Sequence, residues 1–105
     1  MSESDTSTKT IIINVKDLSF QREDIVVDLV RFLSEQLPQI QITREGNELV
    51  CEAPADFSKR RIRLRIRKFL YRRDLKEDFR PISLNHPEKD GYTIKERKVI
   101  EFTYY

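Results

Sequence analysis

The sequence predicts an α+β fold, two helices packed on one face of a mostly antiparallel sheet in the order β-α-β-β-α-β-β. Three observations predict it. Two segments repeat apolar residues at helical spacing. The segments around them alternate apolar and polar residues, as half-buried strands do. Gly, Asn or Pro stands at most of the boundaries. The chain has 105 residues, the length of one domain, and shows no internal repeat or linker. Met1 to Thr8 reads as a mobile polar tail, and residues 9–105 as a single domain.

Ile11, Ile13 and Val15 alternate and are β-branched, so Lys9 to Val15 is predicted as a strand. Ile25, Leu29, Phe32 and Leu33 then follow at helical spacing, with Val26, Val30 and Leu37 widening the stripe. Asp24, Asp28, Arg31 and Glu35 fall opposite. This is an amphipathic helix over about Gln21 to Leu37, ended by Pro38, which cannot continue the hydrogen-bond ladder. Ile40 and Ile42, then Leu49, Cys51 and Ala53, alternate on either side of Arg44-Glu45-Gly46-Asn47, the pattern of a hairpin.

The stretch from Ser58 to Arg73 admits two patterns. Arg61 to Arg67 alternates as a strand would, but Ile62, Ile66, Phe69 and Leu70 also recur at helical spacing. With no Gly or Pro it runs far past the usual strand of about 5–6 residues. Arg, Lys and Leu favour helix, and Asp56 or Ser58 is available to cap it, so helix is the expectation. Phe79 to Leu84 reads as a short strand placed near a sheet edge by Pro81. His86 to Gly91 reads as a loop. Tyr92 with Ile94, and Ile100 with Phe102 and Tyr104, read as further strand.

Composition narrows the function. No apolar run approaches the roughly 20 residues that span a bilayer, and the polar N-terminus lacks a signal-peptide core. The lone Cys51 has no disulfide partner in the chain and fits a reducing compartment, so a cytoplasmic protein is expected. Cys51 alternates with Leu49 and Ala53 and reads as a buried small hydrophobe, not a nucleophile. His86 has no second ligand at metal spacing. Gly46 and Gly91 are the only glycines, so no phosphate-cradling loop exists. The acidic pairs Glu23-Asp24 and Glu77-Asp78 suit helix ends or water better than acid–base work. The expectation is a protein that is not an enzyme, with no cofactor, no metal, no membrane and no small-molecule substrate.

Charge distribution is the informative signal. From Phe57 to Arg73 the chain carries nine bases and no acid, while the remainder holds 11 bases against 18 acids. A strongly positive segment on an acidic body points to a polyanionic partner. A merely solvated face mixes signs, whereas here Arg61 and Arg65, or Arg63 and Arg67, are like-charged neighbours one turn apart. On a helical wheel Arg60, Arg63 and Arg67 lie outward, flanked by Arg61, Lys68 and Arg72, with Leu64 and Tyr71 between the basic rows. Seven of the nine bases are Arg, which forks onto phosphate and stacks on bases. The strand tyrosines Tyr92, Tyr104 and Tyr105 are weaker candidates for stacking.

Phe57-Ser58-Lys59-Arg60, the basic helix that follows, Leu75, Lys76-Glu77 and Arg80 resemble the eukaryotic-type large-subunit ribosomal protein family twenty-two (eL-twenty-two). The hairpin Ile40 to Ala53 has that family's position and length. The chain departs from the family in lacking its glycine-rich stretch before the hairpin and its acidic tail, in carrying Arg61 and Leu64 where tyrosines are usual, and in an added segment, His86 to Lys98. The resemblance implies an α+β fold and a ribosomal, cytoplasmic location. It implies contact with ribosomal RNA of the large subunit through the basic helix (57–73) and adjoining hairpin. The predicted RNA-binding set, from charge pattern and resemblance together, is Ser58, Lys59, Arg60, Arg61, Arg63, Arg67, Lys68, Tyr71 and Arg72. Two other functions fit the same basic helix, a small DNA-binding or chromatin-associated protein and an interaction module docking an acidic protein.

Overall fold

The computed structural model describes residues 8–84 and 86–97. The elements are β1 (Thr8–Asn14), α1 (Lys16–Gln21), α2 (Glu23–Gln36), β2 (Gln41–Glu45), β3 (Glu48–Pro54), α3 (Lys59–Arg72), β4 (Phe79–Ser83) and β5 (Gly91–Glu96). The α+β architecture is as expected, with helices covering one face of a sheet. The expected strand over Ile100 to Tyr104, and the expected tail except its last residue, lie outside the described residues. That residue, Thr8, is the first of β1 and pairs with Pro54 rather than belonging to a tail.

Two features correct the expectation, and a third fills in the sheet. The element order is β-α-α-β-β-α-β-β, because a short helix, α1, precedes the first long one. Asn14 Oδ1 accepts the Lys16 N–H at 3.0 Å and helps start that turn. The two helices are separated at Arg22, whose backbone is extended (φ −148°, ψ 93°), so the long helix begins at Glu23 and not Gln21. The sheet is mostly antiparallel, as expected, with one parallel pairing. Its order is β2-β3-β1-β5-β4, with three antiparallel pairs and one parallel pair, β1 with β5, in its interior.

The sheet's helix-facing rows carry Ile11, Ile13, Leu49, Cys51, Tyr92 and Ile94, all buried. Leu18 of α1, the stripe of α2 and Ile62, Ile66, Phe69 and Leu70 of α3 close over them to form one core. Cys51 is fully buried, and desolvation pushes its thiol pKa up to about 12, as expected of a packing residue. The opposite side of the sheet presents exposed Thr10, Glu52, Gln41 and Thr43.

Two glycines are required. Gly46 (φ +63°) makes the first position of the two-residue β2–β3 turn. Gly91 (φ +156°) lies so close to β1 that a Cβ there would stand 1.8 Å from the Ile12 carbonyl oxygen. Next to it, Ile12 N–H donates to the Asp90 carbonyl at 2.8 Å, which seats β5 on β1. Pro81 lies in β4, an edge strand, as expected of a residue with no N–H to give a ladder.

Candidate nucleic-acid interface

The candidate site is built on α3. Its inner stripe is the predicted one, so the helical spacing prevails over the strand-like alternation of Arg61 to Arg67. Ser58 is the N-cap residue, with extended backbone, though its side chain makes no capping hydrogen bond. The first turn holds Lys59, Arg60 and Arg61 and no acid. Positive charge at a helix N-terminus opposes the macrodipole. This arrangement is locally unfavourable, as functional surfaces often are.

The structure places the predicted residues as follows. Arg60, Arg61, Arg63, Arg67, Lys68 and Arg72 are exposed, as is Ser58. Arg61 also lies over the Phe57 ring, 5.0 Å from its centroid, which ties the helix start to the core. Lys59 is partly withdrawn. It donates to Asp90 at 2.6 Å and lies 5.2 Å from the centroid of Tyr92. Tyr92 is buried beneath it and offers no stacking face. Leu64 and Tyr71 are 54% and 65% exposed, large apolar surfaces standing among the cations as the wheel predicts.

At its C-terminus α3 ends in a Schellman turn. Leu75 N–H donates to the Leu70 carbonyl at 2.7 Å and Asp74 N–H to the Tyr71 carbonyl at 3.1 Å. Asp74 takes the left-handed conformation (φ 61°) that this turn requires. The reversal brings Lys76 back over the helix, its ammonium 4.8 Å from the centroid of Tyr71. It also leads into β4 and so sets Arg80 and Pro81 beside the last turns of α3. Between α3 and β4 lies a groove of about 490 Å³ lined by Leu64, Tyr71 and Pro81 and by the bases Arg67, Lys68, Lys76, Arg80 and Arg97. No acid lines it. The neighbouring depression across β4 and β5 is larger, about 810 Å³, but mixes Lys76, Arg80 and Lys95 with Glu77 and Glu96. Single-sign lining therefore distinguishes the groove on α3.

Ion pairing separates two sorts of cation. Arg22 pairs with Asp24, Arg44 with Glu23, Lys59 with Asp90, Arg73 with Asp28 and Lys89 with Glu48. Among the described residues, Arg60, Arg61, Arg63, Arg65, Arg67, Lys68 and Arg72 of α3 have no carboxylate partner. The hairpin that the family resemblance couples to the helix has one base, Arg44. Its guanidinium bonds Glu23 and reaches Ser19 Oγ at 3.3 Å. Glu45, Glu48 and Glu52 make up the rest of that hairpin's charge. The groove cations Lys76, Arg80 and Arg97 are absent from the predicted set. They are single charges scattered among acids, and only the β4 and β5 pairing collects them.

His86 is exposed, and its Nδ1 accepts the Glu88 N–H at 3.1 Å. No group of three potential metal ligands occurs among the described residues, and none of the described helices is long and apolar enough to cross a membrane.

Fold and site together define a small α+β protein that displays one unneutralised cationic helix with apolar residues set into it. Compared with known proteins, the chain matches no family model, and no curated protein is a significant match.

Proposed function

We propose that this chain is an RNA-binding protein of the large ribosomal subunit, which holds ribosomal RNA on the outer face of α3 and performs no catalysis. One observation carries the reading, namely the seven α3 bases without a carboxylate partner among the described residues. Outside α3 the described bases are either paired with acids, as Arg22, Arg44, Arg73 and Lys89 are, or stand singly along the chain, as Lys9, Lys16 and Arg31 do. On α3 they repel one another and the helix N-terminus, and a polyanion is what offsets that cost. Arg predominates, which suits forked phosphate contacts, and exposed Leu64 and Tyr71 suit the base and sugar surface that RNA offers outside regular duplex. The ribosomal and cytoplasmic placement rests on the resemblance from Phe57 to Arg80, and the part assigned to the hairpin rests on that resemblance alone.

Phosphate-led binding releases counterions, so affinity falls steeply with salt, by about 0.7–0.9 in the log–log slope for each phosphate neutralised. Arg63→Ala and Arg67→Ala should each reduce the slope on a structured RNA by somewhat under one unit, and should weaken unrelated RNAs by similar factors. An unchanged slope in both variants would remove α3 as the site. Tagged protein purified from its own cells should carry ribosomal RNA and sediment with large subunits at high salt. Recovery with duplex DNA, or a complex that survives nuclease, would replace the ribosomal reading with a chromatin or protein-docking one.

A further inference from the structure

We propose that the groove between α3 and β4 receives a single unpaired RNA base, stacked on Tyr71 and flanked by phosphates held on Arg67, Lys76 and Arg80. The proposal rests on the RNA-binding reading and adds which RNA feature is selected. The 14 residues of α3 extend about 21 Å, enough for a track of phosphates along a helical RNA. A regular duplex hides its base faces, so it gives Leu64 and Tyr71 nothing apolar to cover. Those two side chains are nevertheless among the largest exposed apolar surfaces of the described chain, and both line the groove.

The groove's volume, about 490 Å³, falls within the range of roughly 300–1,000 Å³ usual for sites that enclose small ligands. Its chemistry is that of a nucleotide's complement. Leu64, Tyr71 and Pro81 supply apolar surface for a base, and among the described residues cations without an acid surround it for the phosphates on either side. Lys76 caps one face of the Tyr71 ring at 4.8 Å, and the base takes the other. The Schellman turn fixes Lys76 and β4 relative to Tyr71, so the groove is assembled before RNA arrives. A one-nucleotide bulge beside a helical stem presents this combination, a phosphate track with one base turned out of the stack.

The test uses two RNA hairpins that differ by one bulged 2-aminopurine. The full chain should bind the bulged hairpin on the order of tenfold more tightly and change the 2-aminopurine fluorescence. Tyr71→Ala should lose both the preference and the fluorescence change, weakening the bulged hairpin far more than the uninterrupted one. Tyr71→Phe, which keeps the ring, should retain both. Equal affinity of wild type for the two hairpins, or Tyr71→Ala weakening both alike, would overturn the base site and leave the RNA reading intact. Binding to neither hairpin would overturn both. Unchanged fluorescence on binding, with poly-glutamate competing as well as RNA does, would give the groove to an acidic polypeptide and end the proposal.

Discussion

α2 and α3 are each 14 residues long, bury four residues apiece and lie side by side, with the Phe32 and Phe69 rings 5.4 Å apart. Their inner faces are interchangeable in kind. Their outer faces are opposites. α2 presents Glu23, Asp24, Asp28 and Glu35 with the single base Arg31, and its acids in the first turn complement the helix dipole. Glu23 accepts from Ser19 Oγ at 2.6 Å and from Arg44. The charges that α3 presents are all basic, including three at the end where they are least favourable. Packing sets the spacing of apolar residues on both helices and leaves outer charge undetermined. α2 is what such a helix looks like when its surface serves the fold, and α3 departs from it by an amount that the fold does not need.

The largest effect should come from the shared inner face. Ile66→Asp puts an unpaired carboxylate into the core and should cost about 4 kcal/mol or more in denaturant unfolding, and Leu29→Asp on α2 should match it. Leu64→Asp, at an exposed site, should cost less than about 1 kcal/mol. Equal damage from Leu64→Asp and Ile66→Asp would return the segment to a strand, where the two share a face.

The outer faces should separate in RNA binding. Arg67→Glu should lower both affinity and its salt slope, whereas Glu35→Lys on α2 should leave the slope unchanged and at most raise affinity slightly through net charge. A slope that follows net charge alone, whichever helix carries the change, would abolish the distinction between them.

A smaller effect is expected where the helices meet. Arg73, which pairs with Asp28 of α2 and lies 5.6 Å from the centroid of Phe69, is a base kept by the fold. Arg73→Ala should destabilise by under about 1 kcal/mol, because both partners are partly exposed, and should not change the salt slope. A reduced slope would move Arg73 into the RNA site.

The smallest effect concerns pH. Hydrogen bonds from Arg44 and then Ser19 hold the Glu23 carboxyl well below its ordinary value of 4.5, at about 2. A carboxylate depressed by folding contributes stability that is fully present above its unfolded pKa and is lost as pH falls through its folded one. Wild type should therefore lose this contribution between about pH 4.5 and about pH 2, and Glu23→Gln should flatten the thermal-melting profile across that window. An identical profile in the variant would mean that the pair contributes nothing in solution.

Much of the fold was legible because helical spacing is redundant. Four buried positions in α3 and four in α2 each repeat the same period, so no single residue decides it. Leu49, Cys51 and Ala53 likewise mark the buried side of β3. α1 escaped because it buries only Leu18, while Phe20 beside it is 89% exposed, which leaves no period to read. The parallel pairing of β1 with β5 escaped because it depends on which strand fits beside Ile12, a matter of a missing Cβ at Gly91. The basic face was visible as a run of charge. The groove was not, since its lining comes from α3, Lys76, β4 and Arg97, which only the folded chain brings together.

Gly91, which meets Ile12 in the middle of the sheet, follows it by 79 residues along the chain. As the polypeptide emerges during synthesis, β1 can pair with β3 early, but its other edge must wait until β5 has appeared. Through that interval an edge bearing Ile11, Ile12 and Ile13 stands open to any other strand it meets. So distant a closure also slows folding. Gly91→Ala would hold the strand away from its place, and the expected outcome is a chain that accumulates as aggregate before it completes its sheet.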